Sequence, residues 1–187
     1  MAVTTIDPRT ALIVVDLQKS LMAAPTIHPM QGVVKQSRLL ADAFRKRGLP
    51  VVLVNAGGAA PGRNEMPPRP VDRPADWNEI VAEMNRQPED ILVTKRTWGA
   101  FNHTGLDESL KKLGVTQVVI CGVATSIGVE STARSAHELG YNVTLAIDAM
   151  SDPNADCYAN SVMRIFPKLG ETGTTQEIIR LLEGAGG

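Results

Sequence analysis

Apolar positions in this chain fall in short unbroken runs, separated by segments in which they recur at helical spacing. The runs are Ala11 to Val15, Val51 to Val54, Ile91 to Val93, Val118 to Cys121 and Val143 to Ile147. Each is short, rich in β-branched residues and nearly free of polar alternation, which predicts strands covered on both faces. Between them, Val33, Leu40 and Phe44 share one helical face ahead of a stop at Gly48, and Leu106, Leu110 and Leu113 share another ahead of Gly114. Val129, Ala133, Ala136 and Gly140 form a small-residue face suited to close packing on a sheet. A last helix is predicted around Thr175 to Leu182. Strands alternating with helices predict an α/β fold, with a parallel sheet wrapped on both faces.

One stretch breaks the rhythm. Ala56 to Pro74 is rich in Gly and Pro and carries Arg63, Arg69 and Arg73. Loops of this length in compact domains are lids or binding loops, and a solvated surface excursion is the other reading. The 187 residues suit a single domain spanning 1–187, with 56–74 as its long loop. Lys and Arg number 19 against 20 Asp and Glu, so no basic field exists to draw nucleic acid or an anionic membrane, and neither is expected as a partner. Two cysteines, Cys121 and Cys157, imply no disulfide framework. Met1 to Thr10 lacks the pattern of a secretory signal, and no nearby apolar run approaches the roughly 20 residues of a membrane span. The reading is a cytoplasmic protein with reduced thiols.

In open parallel sheets ligands bind beyond the carboxyl ends of the strands. Asp16 follows the first strand, with Gln18 close behind; Asn55 follows the second, Lys95 the third and Asp148 the fifth. The fourth runs into a turn, Gly122 to Gly128, that opens a helix. A carboxylate at the end of a buried strand needs a partner, and Lys95 can supply it. Such a pair can hold a poised proton, although Asp16 as a plain cap and Lys95 as a solvated side chain fit the spacing equally. The helix start after the fourth strand offers N–H groups and a positive dipole end for an oxyanion or carboxylate. His28, His103 and His137 are scattered, with no metal-ligand spacing, and only His103 lies where it could line the Lys95 cleft. Cys121 reads as buried and inert and Cys157 as structural. No GxSxG elbow and no phosphate-binding glycine motif is present.

Three motifs carry a resemblance. Leu12 to Gln18, Lys95 to Phe101, and Val119 to Thr125 followed by Val129 to Arg134 resemble the isochorismatase-like hydrolase superfamily, over roughly Thr10 to Leu182. The resemblance implies a three-layer α-β-α, Rossmann-like fold with a six-stranded parallel sheet of order 3-2-1-4-5-6. It also implies a homo-oligomer, dimer or tetramer, acting on a small molecule. Most members use an Asp–Lys–Cys triad, and by motif Asp16 matches the Asp and Lys95 the Lys. The family turn carries the Cys at its end, where this chain has Gly128.

That departure closes the acyl-enzyme route of the cysteine members. Asn55 to Gly58 also lacks the metal motif of nicotinamidases, so neither metal nor other cofactor is expected. Among members, isochorismatases resemble this chain in lacking the cysteine, and they cleave a vinyl ether with a proton donor and a water. The resemblance therefore implies a metal-independent, non-covalent hydrolase working by Asp16–Lys95 acid–base chemistry, with isochorismate-type cleavage foremost. An amidase or esterase with Asp16-activated water, or a non-catalytic binding homologue, are the alternatives. Gly128 would leave a gap for water, and N–H groups from Ala124 and Thr125 onward would bind a substrate anion. Gln18 joins the substrate-binding set; Trp98 and Phe101 form an apolar wall or serve packing alone; Arg63 or Arg69 pairs with substrate carboxylates as the loop closes.

Overall fold

In the computed structural model, residues 2–65 and 72–184 are described. Six parallel strands form one sheet: β1 (Thr10–Val15), β2 (Val51–Ala56), β3 (Ile91–Lys95), β4 (Gln117–Val123), β5 (Asn142–Ser151) and β6 (Glu171–Gly173). Their order is β3-β2-β1-β4-β5-β6, as the family resemblance implied. The direction of growth reverses between β1 and β4, so the carboxyl ends of the central strands frame the crevice where such sheets bind ligands.

Alternation along the strands decides which layer each side chain joins. Leu12, Val14, Leu53, Val119 and Cys121 face Val33, Leu40 and Phe44 of α1 (Met30–Lys46) and Ile178 and Leu182 of α6 (Thr175–Gly184). Ile13, Val15, Val54, Val118 and Ile120 face the opposite layer. There they meet Leu106 and Leu110 of α2 (Leu106–Lys112), Ala133 and Ala136 of α3 (Glu130–Glu138), and Phe166 of α5 (Phe166–Leu169). β1 is buried along its whole length, as its unbroken apolar run requires. Among the described residues no helix is long and apolar enough to cross a membrane.

The structure departs from the sequence expectation at four places. β5 does not stop at Ile147: Ala149, Met150 and Ser151 are buried, and Met150 and Ser151 pair with Gly122 and Val123 after a register shift. Asp148 therefore lies inside the strand, where its Oδ1 accepts bonds from the Thr175 N–H (2.7 Å) and hydroxyl (2.9 Å) at the start of α6. Gly140 is exposed and left-handed (φ 88°) just past α3, a helix stop rather than part of its packing face. β6 carries no apolar run, and α4 (Ala155–Asn160) and α5 precede it in a stretch without strong periodicity.

Asp148 thus serves as a helix cap rather than a site residue. Asp148→Ala should lower stability by about 0.5–2 kcal/mol, read from the midpoint of urea unfolding at unchanged slope.

Candidate active site

Asp16 follows β1 and turns the chain with a positive φ of 55°, a conformation Asp tolerates better than most residues. Its N–H bonds the Val54 carbonyl (2.8 Å), which extends the β1–β2 ladder to the rim of the sheet. Lys95 ends β3, two strands away, and reaches across the end of β2. Its ammonium lies 2.8 Å from Asp16 Oδ2 and 3.3 Å from the Thr97 carbonyl. The β2 residue in register with Lys95 is the small Ala56, and Gly57, which follows it, packs against Thr94. A Cβ on Gly57 would stand 2.5 Å from Thr94 Cγ2. The side chains of the pair are only 3% (Lys95) and 10% (Asp16) exposed, so each charge depends on the other for compensation.

β4 brings a third group to the pair. Gly122 (φ 111°) lies so close to Val15 that a Cβ there would collide with the Val15 backbone. The chain then passes through the cis peptide Val123–Ala124 into a wide helical turn, Thr125–Val129, which runs on into α3. Gly128, buried in this turn, faces Asp16: a Cβ built on it would lie 3.3 Å from Asp16 Oδ2, 3.2 Å from the Val123 carbonyl and 3.0 Å from Val15 Cγ1. The glycine therefore leaves no hole at that point. It lets the backbone approach the carboxylate until almost no room remains for a side chain.

The N–H groups of the turn are already engaged to a large extent. Those of Ile127 and Val129 bond the Ala124 carbonyl, both at 3.1 Å. The Ser126 N–H and hydroxyl both donate to Asp152 Oδ2 at 2.8 Å. Thr125 is buried, and its hydroxyl donates to the Ser151 carbonyl (3.0 Å). Asp152 and Ser151, at the true end of β5, escaped the sequence reading because Asp148 ends the apolar run before them.

The other predicted residues are placed as follows. Gln18 is buried with its amide engaged: Oε1 accepts from the Ala56 N–H (2.8 Å) and Nε2 donates to the Ser20 hydroxyl (3.1 Å). It fastens the base of the long loop beside the pair. The returning limb is tied down too, by the Lys19 N–H to the Glu79 carbonyl, Ser20 N–H to Trp77 and Val81 N–H to Leu17. Arg63 is exposed on this loop, and Arg69 lies outside the described residues. Asn55 is committed to scaffold, its amide donating to the Asn78 carbonyl (2.6 Å) and accepting from the Thr94 hydroxyl (2.7 Å), so it does not fit a metal ligand. Trp98 and Phe101 line a cleft of about 430 Å³ against Ser131, Ser135 and Leu139 of the α3 side, and that cleft contains neither Asp16 nor Lys95. Phe101 is buried and stacks on Tyr141 at 5.9 Å, while Trp98 is 58% exposed. His103 is exposed in the turn after Phe101, with a positive φ of 55°. His28 bonds the Met150 carbonyl and His137 the Leu169 carbonyl.

The isochorismatase domain model matches residues 10–177. The chain is 38% identical over 181 residues to the uncharacterized isochorismatase family protein YecD of Escherichia coli O157:H7, covering 92% of this chain and 96% of that protein. It is 30% identical over 172 residues to nicotinamidase 3 of Arabidopsis thaliana, covering 85% and 83% respectively. A solved isochorismatase family protein from Burkholderia thailandensis superposes with a TM-score of 0.91 at 38% identity, over 96% of this chain and 98% of that one.

Neither sulfur is disposed as a nucleophile beside Asp16. Cys121 points into the α1–α6 core, and burial pushes its thiol up to about 12. Cys157 is exposed on α4. Native protein should therefore react with an aromatic disulfide reagent at Cys157 alone, and Cys121 should react only after denaturation. Fast labelling of Cys121 in the folded state would contradict this placement.

Proposed function

The chain belongs to the isochorismatase family and is a hydrolase, and from that we propose that it hydrolyses a small substrate without a cysteine nucleophile, using Asp16 and Lys95 to activate water. The observation carrying this reading is the buried Asp16–Lys95 ion pair (2.8 Å) set directly against Gly128. A charge-separated pair of this kind suits Asp16 to accept a proton. Water attacks an amide or ester carbonyl carbon and gives its proton to Asp16, which passes it to the departing amine or alkoxide. A lysine ammonium has three N–H donors. In Lys95 two are directed to Asp16 and Thr97, and the third, with the Thr125 N–H, meets the developing oxyanion. Cleavage of an isochorismate-type vinyl ether is the chemistry foremost in the sequence reading. It asks the opposite of Asp16, donation of a proton to carbon, and the neighbouring ammonium works against that.

The test is a panel of small amides and esters, with a vinyl ether included. Asp16→Asn should lower kcat by at least about a hundredfold, the lower end of what acid–base catalysis contributes. On the acid side the rate should climb with pH if Asp16 is the base; a rate that falls there would assign it the acid role. Turnover undiminished in Asp16→Asn would remove Asp16 from the mechanism.

Stability should show that the pair acts as a unit. Lys95→Met leaves a buried carboxylate without its partner and should cost about 3–5 kcal/mol. The Asp16→Asn/Lys95→Met double variant should lose clearly less than the two single losses combined. The measurement is chemical unfolding of all four proteins.

A further inference from the structure

The ladder between β1 and β2 ends on a side chain. From the β1 side the Leu12 N–H donates to the Pro50 carbonyl (2.9 Å) and the Asp16 N–H to the Val54 carbonyl (2.8 Å). Rungs of a parallel ladder are evenly spaced, so the next would run from the Ala56 N–H back to the Asp16 carbonyl. Asp16 instead turns the chain with its positive φ, and its carbonyl accepts from the Gln18 N–H (2.9 Å). The Ala56 N–H goes to the Gln18 side chain, whose Oε1 lies at 2.8 Å. The amide carbonyl of Gln18 thus stands in for main chain that has left the sheet. Gln18 is 1% exposed, its Nε2 donates to the Ser20 hydroxyl, and its backbone bridges antiparallel to Ile80.

Ala56 is in register with Lys95, and the Gly57 N–H donates to the Lys95 carbonyl at 2.8 Å. The end of β3, from which Lys95 reaches Asp16, is therefore joined to the end of β1 through the Gln18 amide. Without that acceptor the Ala56 N–H must find another partner or water, and the strand end that sets Lys95 moves with it. We propose that Gln18 is a positioning residue: its side-chain carbonyl completes the β1–β2 ladder and so holds Lys95 within hydrogen-bond distance of Asp16. This rests on the reading of that pair as the reacting groups, and it gives Gln18 a different task from the substrate binding expected of it in the sequence.

The test compares the wild type with three variants. Gln18→Met keeps the length of the side chain without an acceptor, and Gln18→Asn is one methylene shorter. Ser20→Ala removes only the bond at the other end of the amide. Crystal structures give the separation of Lys95 Nζ from Asp16 Oδ2, and the ¹⁵N–¹³C coupling across that hydrogen bond reports it in solution. In the Gln18 variants the pair should open beyond about 3.5 Å and the coupling should vanish. Their Ala56 amide should also exchange at least about tenfold faster. Ser20→Ala should leave the pair as in the wild type. Gln18→Asn covers a Met variant that does not fold. A role confined to fastening the loop would speed the exchange and leave the pair closed, and that result in the Gln18 variants that fold overturns the proposal. An equally opened pair in Ser20→Ala overturns it too. Turnover that survives Asp16→Asn would instead sink the catalytic reading and leave these measurements as they are.

Discussion

A charge that folding buries must be answered by another charge or by strong donors, and Asp16 is such a charge. β1 is the most enclosed strand of the sheet, flanked by β2 and β4 and covered by both helical layers. A carboxylate at its end has little water to turn to. Lys95 answers it from two strands away, past the end of β2, where Gly57 donates to the Lys95 carbonyl and Gln18 fastens Ala56. A pair of this kind is weak evidence for stability, since apolar residues of similar volume often do as well.

The second organising feature is backbone proximity between β1 and β4. Gly122 lets the two strands close up at Val15, and Gly128 lets the following turn close up on Asp16. These two positions place peptide groups, rather than side chains, around the carboxylate. Asp152 then fixes the turn from the β5 side, so the site is gathered from the ends of β1, β3, β4 and β5 with only short side chains apart from the lysine.

The sequence revealed the sheet and the Asp16–Lys95 pair for one reason: both follow from burial. Unbroken apolar runs mark enclosed strands, and the polar residues that come directly after such a run mark the rim, where Asp16 and, one residue past Thr94, Lys95 stand. The same rule misled at β5, where Asp148 interrupts the apolar run but points to the Thr175 end of α6 while the strand continues to Ser151. Asp152 stayed hidden behind that interruption. Trp98 and Phe101 follow Lys95 in sequence, yet Gly99 packs against the Ser131 carbonyl, and the two rings line a cleft that holds neither member of the pair. β6 was illegible because its three residues are ordered by pairing with Thr144 to Ala146 rather than by their own apolar character.

Gly128 has a consequence for substitution at its own position. Any side chain placed there meets Val15, the Val123 carbonyl and Asp16 at once, each closer than an ordinary van der Waals contact. Each would have to give by a few tenths of an ångström, Val15 within the enclosed core and Val123 within a central strand. A side chain at this position thus depends on how far the Val15 methyl and the Val123 strand give way, and a smaller residue at 15 is the nearest way to provide that room.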